Sequence, residues 1–196
     1  MTIQESLKKD TRAHHEKLEE IMFVQDIMSG GLSLAQYKQI LVTNYIVHEA
    51  FENHLFHSLP HAMADQIQCF QRYKQPSLLM DLEEVEMARP TGMMEVQDIT
   101  IYSESPAVLG AMYVLEGATL GGHVILKKLV TNTHVNHIGL GFHYYRVYGD
   151  DLIDRWKTFC ALLNQQPEAD YPTILAGARK MFTSIASIHS AKAAIL

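Results

Sequence analysis

The sequence predicts an all-α protein, a single-domain bundle of about seven helices. No stretch alternates apolar and polar residues for more than a few positions, so strands are not indicated. Apolar residues recur instead at spacings of three and four, and capping residues, glycines and prolines separate the segments. The 196 residues contain no internal repeat, low-complexity tract or shift in composition. We therefore expect residues 1–196 to form one domain, long enough to bury a substantial core.

The first segment has the pattern of an amphipathic helix. Its apolar stripe spans about 60° on a helical wheel and consists of Ile3, Leu7, His14, Leu18 and Ile21. Gly30-Gly31 is expected to end this segment. Ser33 then begins a second, long helix, because Gln36 three residues later completes a capping box. Pro60 is expected to stop that helix, since proline cannot continue the hydrogen-bond ladder.

Two shorter helices and one long helix follow. The shorter ones are expected over about 61–74 and from Ser77 through the sequence LLMDLEEVEMA. Ser105 followed by Pro106 gives a cap and then a proline at the first helical position, which starts the long helix. This helix contains the stretch LEGATLGGHVILKKL, whose three glycines each cost roughly 0.5–1 kcal/mol relative to alanine. Glycines at that cost indicate that something approaches the backbone closely.

The last part of the chain predicts a loop and two more helices. Residues 131–149 form the loop, with one short and less regular element. Asp150 or Asp151 caps the next helix, and Asp170 with Pro172 opens the final one. The order of elements and their short connections are those of a helical bundle.

Composition argues against several classes of function. Sixteen lysines and arginines against 22 aspartates and glutamates give a net charge of −6. No basic cluster exceeds a pair, so nucleic acid is not an expected partner. No uninterrupted apolar run reaches the roughly 18–20 residues that span a bilayer, and none follows the first charges as in a secretory signal. Cys69 and Cys160 lie far apart without a C-x-x-C pattern. We expect a reducing, cytoplasmic location without membrane attachment.

Eleven histidines raise the question of a metal site. A di-iron bundle needs Glu-x-x-His on two helices, and no glutamate here has a histidine three residues later. His54, His57 and His61 have helical spacing. A proline before the third interrupts the helix, so a solvated helix end is the simpler interpretation. His123 in the glycine-rich helix is compatible with either solvent or a ligand.

Two adjacent histidines in the first segment differ in their surroundings. His14 lies at the centre of the apolar stripe, where a hydrogen-bonded core histidine is the more common case. His15 lies about 100° away, and Glu19 stands one turn further along the same face. A metal-bound histidine needs its second ring nitrogen oriented by such a carboxylate. The pattern alone leaves both interpretations of His15 open, metal ligand or core residue.

Three segments resemble the heme oxygenases. LKKDTRAHHEKLE is similar to their N-terminal helix, which carries leucine, threonine, the heme-binding histidine and glutamate at four-residue intervals. Here these residues are Leu7, Thr11, His15 and Glu19. YVLEGATLGGHVILKKL is similar to the distal helix of that family, most closely in the bacterial branch associated with bacteriophytochromes. RWKTFCALL also resembles that branch, and the order and separations of the three segments fit over most of the chain.

The resemblance implies a fold that holds one heme, iron protoporphyrin IX, between a proximal first helix and a distal, glycine-rich helix. It implies oxidative opening of heme to biliverdin, with release of ferrous iron and carbon monoxide. Dioxygen and an external electron donor, a ferredoxin, a flavin reductase or a chemical reductant, are then required. The branch also points to a bacteriophytochrome as the acceptor of the bilin.

The resemblance also assigns roles to residues of both helices. His15 takes the role of iron ligand, although it lies off the centre of the apolar stripe, and Glu19 is its hydrogen-bonding partner. Gly117 and Gly121 take the positions at which the distal helix crosses the heme face. Gly122 lies about 100° further round the helix and is expected to permit a bend.

Basic residues at the mouth of the pocket hold the heme propionates in this family. Lys8 and Arg12 are the matching candidates on the first helix. Lys157 and Arg155 are the matching candidates on the later helix that carries the RWKTFCALL segment.

Two positions depart from the animal members of the family. Their aspartate after the first glycine, which organises proton-delivering water, is Ala118 here, and a tyrosine of their second helix is replaced by His48. The bacteriophytochrome-associated branch also lacks that aspartate, so activity is still implied. Thr119, His48 or water held by the backbone is expected to take over the proton route.

Other interpretations remain open at this point. A heme or bilin carrier on the same fold would bind its ligand without turnover. A different enzyme on the same scaffold, such as a thiamine-pyrimidine hydrolase, would need a cysteine nucleophile with nearby carboxylates, and Cys69 and Cys160 show no such surroundings. The glycines have an alternative of their own, since small residues four apart also let two helices pack closely.

Overall fold

The computed structural model describes residues 1–90 and 102–193. Its helices are α1 (Ile3–Asp10), α2 (Arg12–Ile21), α3 (Val24–Ser29), α4 (Leu34–Ser58), α5 (His61–Gln66), α6 (Gln75–Glu84), α7 (Ser105–Thr131), α8 (Leu152–Asn164) and α9 (Tyr171–Ala193). Short 3-10 turns join several of them, and no strand occurs in the described ranges. The all-α prediction is confirmed, with nine helices in these ranges where the sequence predicts about seven.

The predicted first helix is divided into three. The chain turns at Thr11, whose hydroxyl donates to the Leu7 carbonyl at 2.8 Å, and again at Phe23, where φ is 58°. A threonine hydroxyl bonded to the carbonyl four residues back competes with regular helix and often bends it. Because α1 and α2 are separate helices, one wheel drawn over residues 3–21 does not describe them. Gly30 ends α3 in the left-handed conformation, as the glycine pair predicts.

The long second helix agrees with its prediction, whereas the helix after it does not. Ser33 and Gln36 cap α4 reciprocally, each side chain accepting from the other residue's main-chain N–H, and α4 ends at Ser58 before the proline. The helix predicted over 61–74 is present only as α5, which has six residues. Gln68 then adopts a left-handed φ of 51° and begins a 3-10 turn instead.

The remaining helices begin close to their predicted positions. α6 begins at Gln75, two residues before Ser77, because Pro76 is accommodated in the first turn of the helix. Asp151 precedes α8, but its side chain makes no capping hydrogen bond. The loop over 131–149 contains 3-10 turns, and α9 is described as far as residue 193, so its predicted continuation to the C-terminus lies outside the described residues.

The backbones of α7 and α9 touch where two glycines meet. A Cβ on Gly110 would lie 1.9 Å from the Ile174 carbonyl oxygen, and a Cβ on Gly177 would lie 2.2 Å from the Ala107 carbonyl oxygen. No side chain fits at either position, so α7 and α9 form the central pair of the bundle. Within the described ranges, α7 is also the one helix that is long and apolar enough to cross a membrane. Half of its most apolar window is buried inside the protein.

Candidate functional site

A cavity of about 630 Å³ lies between α2, α3, α4 and α7, with one residue contributed by α8 and two by α9. Its lining is mostly aliphatic and aromatic. The ionisable side chains that line it, tyrosines apart, are His15, Glu19 and His48. A cavity of this size, apolar with a few polar groups, is typical of a site for a small molecule or cofactor.

α2 brings a histidine and a glutamate to the cavity. His15 and Glu19 both line it, and His15 Nδ1 lies 3.5 Å from Glu19 Oε2. The His15 side chain is 60% exposed, so its ring is accessible to a ligand. Because Glu19 faces Nδ1, the nitrogen left for a metal is Nε2.

His14 does not line the cavity. Its Nδ1 is buried and has no hydrogen-bond partner among the described residues, and its ring lies 6.3 Å from that of Phe182. The structure therefore places His15 rather than His14 on the cavity, as the family spacing requires. The apolar stripe failed to indicate this, because the turn at Thr11 gives α2 a register of its own.

The glycines of α7 meet the cavity in different ways. No atom of the described residues lies within 4 Å of a Cβ built on Gly121, and Gly117 would make only ordinary contact with Trp156 at 3.7 Å. Both line the cavity. The fold therefore does not need glycine at 121 for packing against another helix, and the backbone there is bare toward the cavity.

Gly122 packs against a tyrosine ring, and the bend predicted for it stays a prediction. A Cβ there would lie 3.2 Å from the Tyr145 ring, tighter than an ordinary contact. α7 is α-helical without interruption from Ser105 to Thr131. The glycine thus admits the Tyr145 ring against the side of α7.

A second, smaller cavity of about 360 Å³ lies on the other side of the Tyr144–Tyr145 pair. Ala118, Tyr144 and Tyr145 line both cavities. Thr119 lines only the smaller one, and its hydroxyl donates to the Glu116 carbonyl at 2.6 Å. The structure therefore does not bring Thr119 to the main cavity, where the side chain at 118 is only a methyl group.

His48 is buried in the wall of the main cavity. Its Nδ1 lies 2.9 Å from Glu52 Oε1, and its Nε2 lies 3.4 Å from the Tyr144 hydroxyl. Glu52 also accepts the main-chain N–H groups of Lys74 and Gln75 at 2.8 and 3.2 Å. Burial alone would raise the pKa of Glu52, but the charges and hydrogen bonds of His48 and Lys74 outweigh it and lower that pKa.

A buried ionic cluster lies behind the glycine-rich stretch and was not predicted. Glu116 accepts hydrogen bonds from Arg72 at 2.6 Å, from Lys74 at 2.7 Å and from the Tyr148 hydroxyl at 3.0 Å. Burial opposes ionisation of Glu116, but the two cations overcome it and lower the pKa of Glu116. One carboxylate in the apolar sequence of α7 was the only sign of this cluster in the sequence.

Two acidic side chains of α6 fix the turn that carries the tyrosines. Asp81 accepts the main-chain N–H groups of His143 and Tyr144 at 2.6 and 2.8 Å. Glu84 accepts the Gly141 N–H at 2.7 Å and contacts His143 Nε2 at 3.0 Å. Burial raises the pKa of Asp81 to about 6. Asp81, Glu84 and His143 are close enough to bind a metal, but their ligand atoms already have these hydrogen-bond partners.

The predicted propionate-binding residues do not line the cavity. Lys8, Arg12 and Lys157 are exposed, with Arg12 bound to Glu16 at 2.7 Å. Arg155 lies elsewhere, 5.1 Å over the Tyr148 ring. Its neighbour on α8, a tryptophan about 100° round the helix, is the residue that reaches the cavity. The role assigned to Arg155 is therefore not supported, and that of the three exposed cations stays a prediction.

The two cysteines are unsuited to nucleophilic catalysis. Cys69 and Cys160 are both buried and free. Burial raises the pKa of Cys69 to about 12 and that of Cys160 to about 11. Since the thiolate is the nucleophile, neither thiol has the surroundings that a cysteine hydrolase needs.

The fold and the cavity together define a class of protein. It is all-helical and has room for a broad, mostly apolar ligand between one helix that carries a histidine and one that carries glycines. The sequence model of the family described as heme oxygenase matches residues 1–190. The chain belongs to the heme oxygenase family. No curated protein matches it in sequence.

Solved heme oxygenases have the same fold. The structure from Leptospira interrogans is 20% identical, with a TM-score of 0.76 over 97% of this chain and 99% of that one. Heme oxygenase-1 from the cyanobacterium Synechocystis sp. PCC6803, in complex with heme, is 18% identical, with a TM-score of 0.77 over 97% and 91%. The NO- and CO-bound enzyme from Neisseria meningitidis is 20% identical, with a TM-score of 0.70 over 96% and 90%.

The residues present fit a heme. His15 offers an accessible imidazole whose other nitrogen faces Glu19, the donor arrangement of a heme-binding histidine. Across the same cavity, a Cβ at Gly121 would project into open space, so the backbone there can approach a flat ligand. Most of the remaining lining is apolar, as the face of a porphyrin requires.

Proposed function

We propose that this chain is a heme oxygenase that opens heme to biliverdin and releases ferrous iron and carbon monoxide. The observation that carries the proposal is one cavity with His15 on one side and the bare backbone of Gly121 on the other. Support comes from the family match over residues 1–190. Dioxygen and electrons from an external donor are the co-reactants.

When bound, the heme iron supplies the oxygen chemistry, and the protein supplies binding and orientation. His15 would bind the iron through Nε2. Glu19 would hold Nδ1–H and increase the basicity of the ring. Gly117 and Gly121 would leave room on the opposite face, because neither residue adds a side chain to the cavity.

Other residues of the cavity wall would contact the faces of the ligand. Trp156, Phe182 and Ile185 offer it apolar surface. Ala118 adds no charge on the glycine side, so any proton that the reaction consumes has to come from another residue or from water. Lys8, Arg12 and Lys157 are proposed to hold the propionates outside the apolar part.

A hemin titration followed by turnover tests the proposal. The wild-type chain should give a Soret band, which His15→Ala should weaken or shift because the iron ligand is removed. His14→Ala is the matched control and should keep the band, since His14 does not line the cavity. With ascorbate and oxygen, the band should decay to a biliverdin spectrum. Loss of the band only in His14→Ala would overturn the ligand assignment.

One observation favours a second candidate, a heme or bilin carrier without turnover. The position that carries an aspartate in the animal enzymes is Ala118, which gives the cavity no acid at that point. A carrier would hold hemin in a stable spectrum under ascorbate and oxygen. We also propose a cytoplasmic location and, from the branch resemblance, a bacteriophytochrome as the receiver of the bilin.

A further inference from the structure

We propose that Tyr144, His48 and Glu52 form a proton relay in the wall of the main cavity, and that this relay stands in for the acid missing at Ala118. The inference rests on the proposed function, because the relay needs a reaction that consumes protons. It is based on three contacts in the structure: Glu52 to His48, His48 to Tyr144, and Tyr144 to both cavities.

The ionised carboxylate of Glu52 sets the direction of the relay. Since an ionised carboxylate can only accept, His48 Nδ1–H donates to Glu52 at 2.9 Å. The free position of the ring is then Nε2, 3.4 Å from the Tyr144 hydroxyl. In the neutral ring Tyr144 O–H donates to Nε2, and in the imidazolium Nε2–H donates to the Tyr144 oxygen.

Tyr144 is suited to pass a proton but not to lose one. Burial raises the pKa of Tyr144, so its phenolate is unfavourable. A proton that leaves its hydroxyl for an acceptor in the cavity must therefore be replaced at once by the proton of His48 Nε2. The transfer leaves His48 neutral with its proton on Nδ1, and the charge balance is kept because one proton enters the cavity for each one that leaves the ring.

The proton that His48 loses is replaced through the second cavity. Tyr144 lines both cavities, and the smaller one is also lined by Arg146 and Asp150, which are accessible to solvent. Close to the relay, Lys74 donates its main-chain N–H to Glu52, while its ammonium is bound by Glu116. Lys74 therefore does not compete for the Glu52 carboxylate with its charged end.

Two substitutions with matched controls test the relay. Tyr144→Phe keeps the ring and removes the hydroxyl, with Tyr45→Phe as its control, because the Tyr45 hydroxyl bonds Glu49 and does not line the cavity. His48→Gln removes the titratable ring, with the exposed His57→Gln as its control. All four should keep hemin binding.

The relay predicts different rates with different oxidants. With ascorbate and oxygen, biliverdin formation should fall about 100-fold or more in both Tyr144→Phe and His48→Gln, the range for a lost general acid. With hydrogen peroxide, which brings its own protons, heme loss should stay within about threefold of wild type. Equal loss with both oxidants would indicate a structural role and overturn the relay.

A measurement on the chain without heme gives an independent test. In ¹⁵N spectra, the neutral His48 ring should carry its proton on Nδ1, and Tyr144→Phe should shift the Nε2 resonance but not that of Nδ1. A neutral ring protonated on Nε2 would overturn the relay. If the wild-type chain degrades no heme with either oxidant, the proposed function fails as well, whereas a fully active Tyr144→Phe with oxygen refutes the relay alone.

Discussion

Alanine at position 121 is predicted to stabilise the fold and to weaken heme binding. Glycine in a helix interior costs roughly 0.5–1 kcal/mol relative to alanine. No atom of the described residues lies within 4 Å of the added Cβ, so Gly121→Ala recovers this free energy without a clash. For a chain of this size, that gain raises the melting temperature by about 1–4 °C.

Heme binding should change in the opposite direction. The new methyl group projects into the space where the face of the ligand would lie, and overpacking of this kind costs roughly 1–3 kcal/mol. The affinity for hemin should therefore fall about 5- to 150-fold. Thermal unfolding of the heme-free chain and a hemin titration give the two quantities on the same sample.

Gly122→Ala is the matched control for this pair of effects. Its Cβ would press on the Tyr145 ring at 3.2 Å, so the gain in helix propensity should be offset by strain, and Gly122 does not line the main cavity. If Gly121→Ala lowered the melting temperature and left hemin affinity unchanged, the glycine would serve packing, and the reasoning about an open ligand face would be refuted.

Two further predictions concern the helix pairing and the buried ions. Gly110→Ala should lower the free energy of unfolding by at least about 3 kcal/mol, because its Cβ would meet the Ile174 carbonyl at 1.9 Å; urea unfolding with a wild-type midpoint would contradict this. Glu116→Gln should cost about 3–5 kcal/mol at neutral pH, since Arg72 and Lys74 lose their carboxylate. The folded-state pKa of Glu116 lies below its ordinary value of 4.5, so its stabilisation is present above that pH and is lost as the pH falls through the lowered pKa. The free energy of unfolding should therefore fall less between neutral and acidic pH in Glu116→Gln than in the wild type. An equal fall in both proteins would argue against the ionised cluster.

Features fixed by neighbouring residues could be predicted from the sequence. The capping box at Ser33 and the left-handed Gly30 depend on a few adjacent residues, and both are present. The breaks at Thr11 and Phe23 were not predicted, because the helical pattern does not show that the Thr11 hydroxyl bonds the Leu7 carbonyl or that Phe23 adopts a positive φ. The helical wheel that placed His14 at the centre of an apolar stripe assumed one continuous helix, so it failed for the same reason.

The site was only partly predictable because its supports join distant parts of the chain. The pairing of Gly110 with Gly177 and the cluster around Glu116 bring together residues far apart in sequence. Tyr144 reaches the cavity because Asp81 accepts its main-chain N–H, which no local pattern indicates. Family spacing predicted His15, Gly117 and Gly121, which line the cavity, whereas the basic residue at 155 does not line it.

The attachment of α7 has a mechanical consequence for ligand entry. The helix is fixed to its neighbour backbone to backbone at Gly110 and is tied again at Glu116 by three buried hydrogen-bond donors. Two attachments less than two turns apart prevent the helix from sliding along its axis and from rotating about it. Its far end is held as well, because the C-cap residue Asn132 donates to the Gly30 and Leu32 carbonyls at 3.2 and 3.1 Å. Displacement of the glycine face, which carries Gly117 and Gly121, is thus restricted to flexing of a segment that is fixed at both ends.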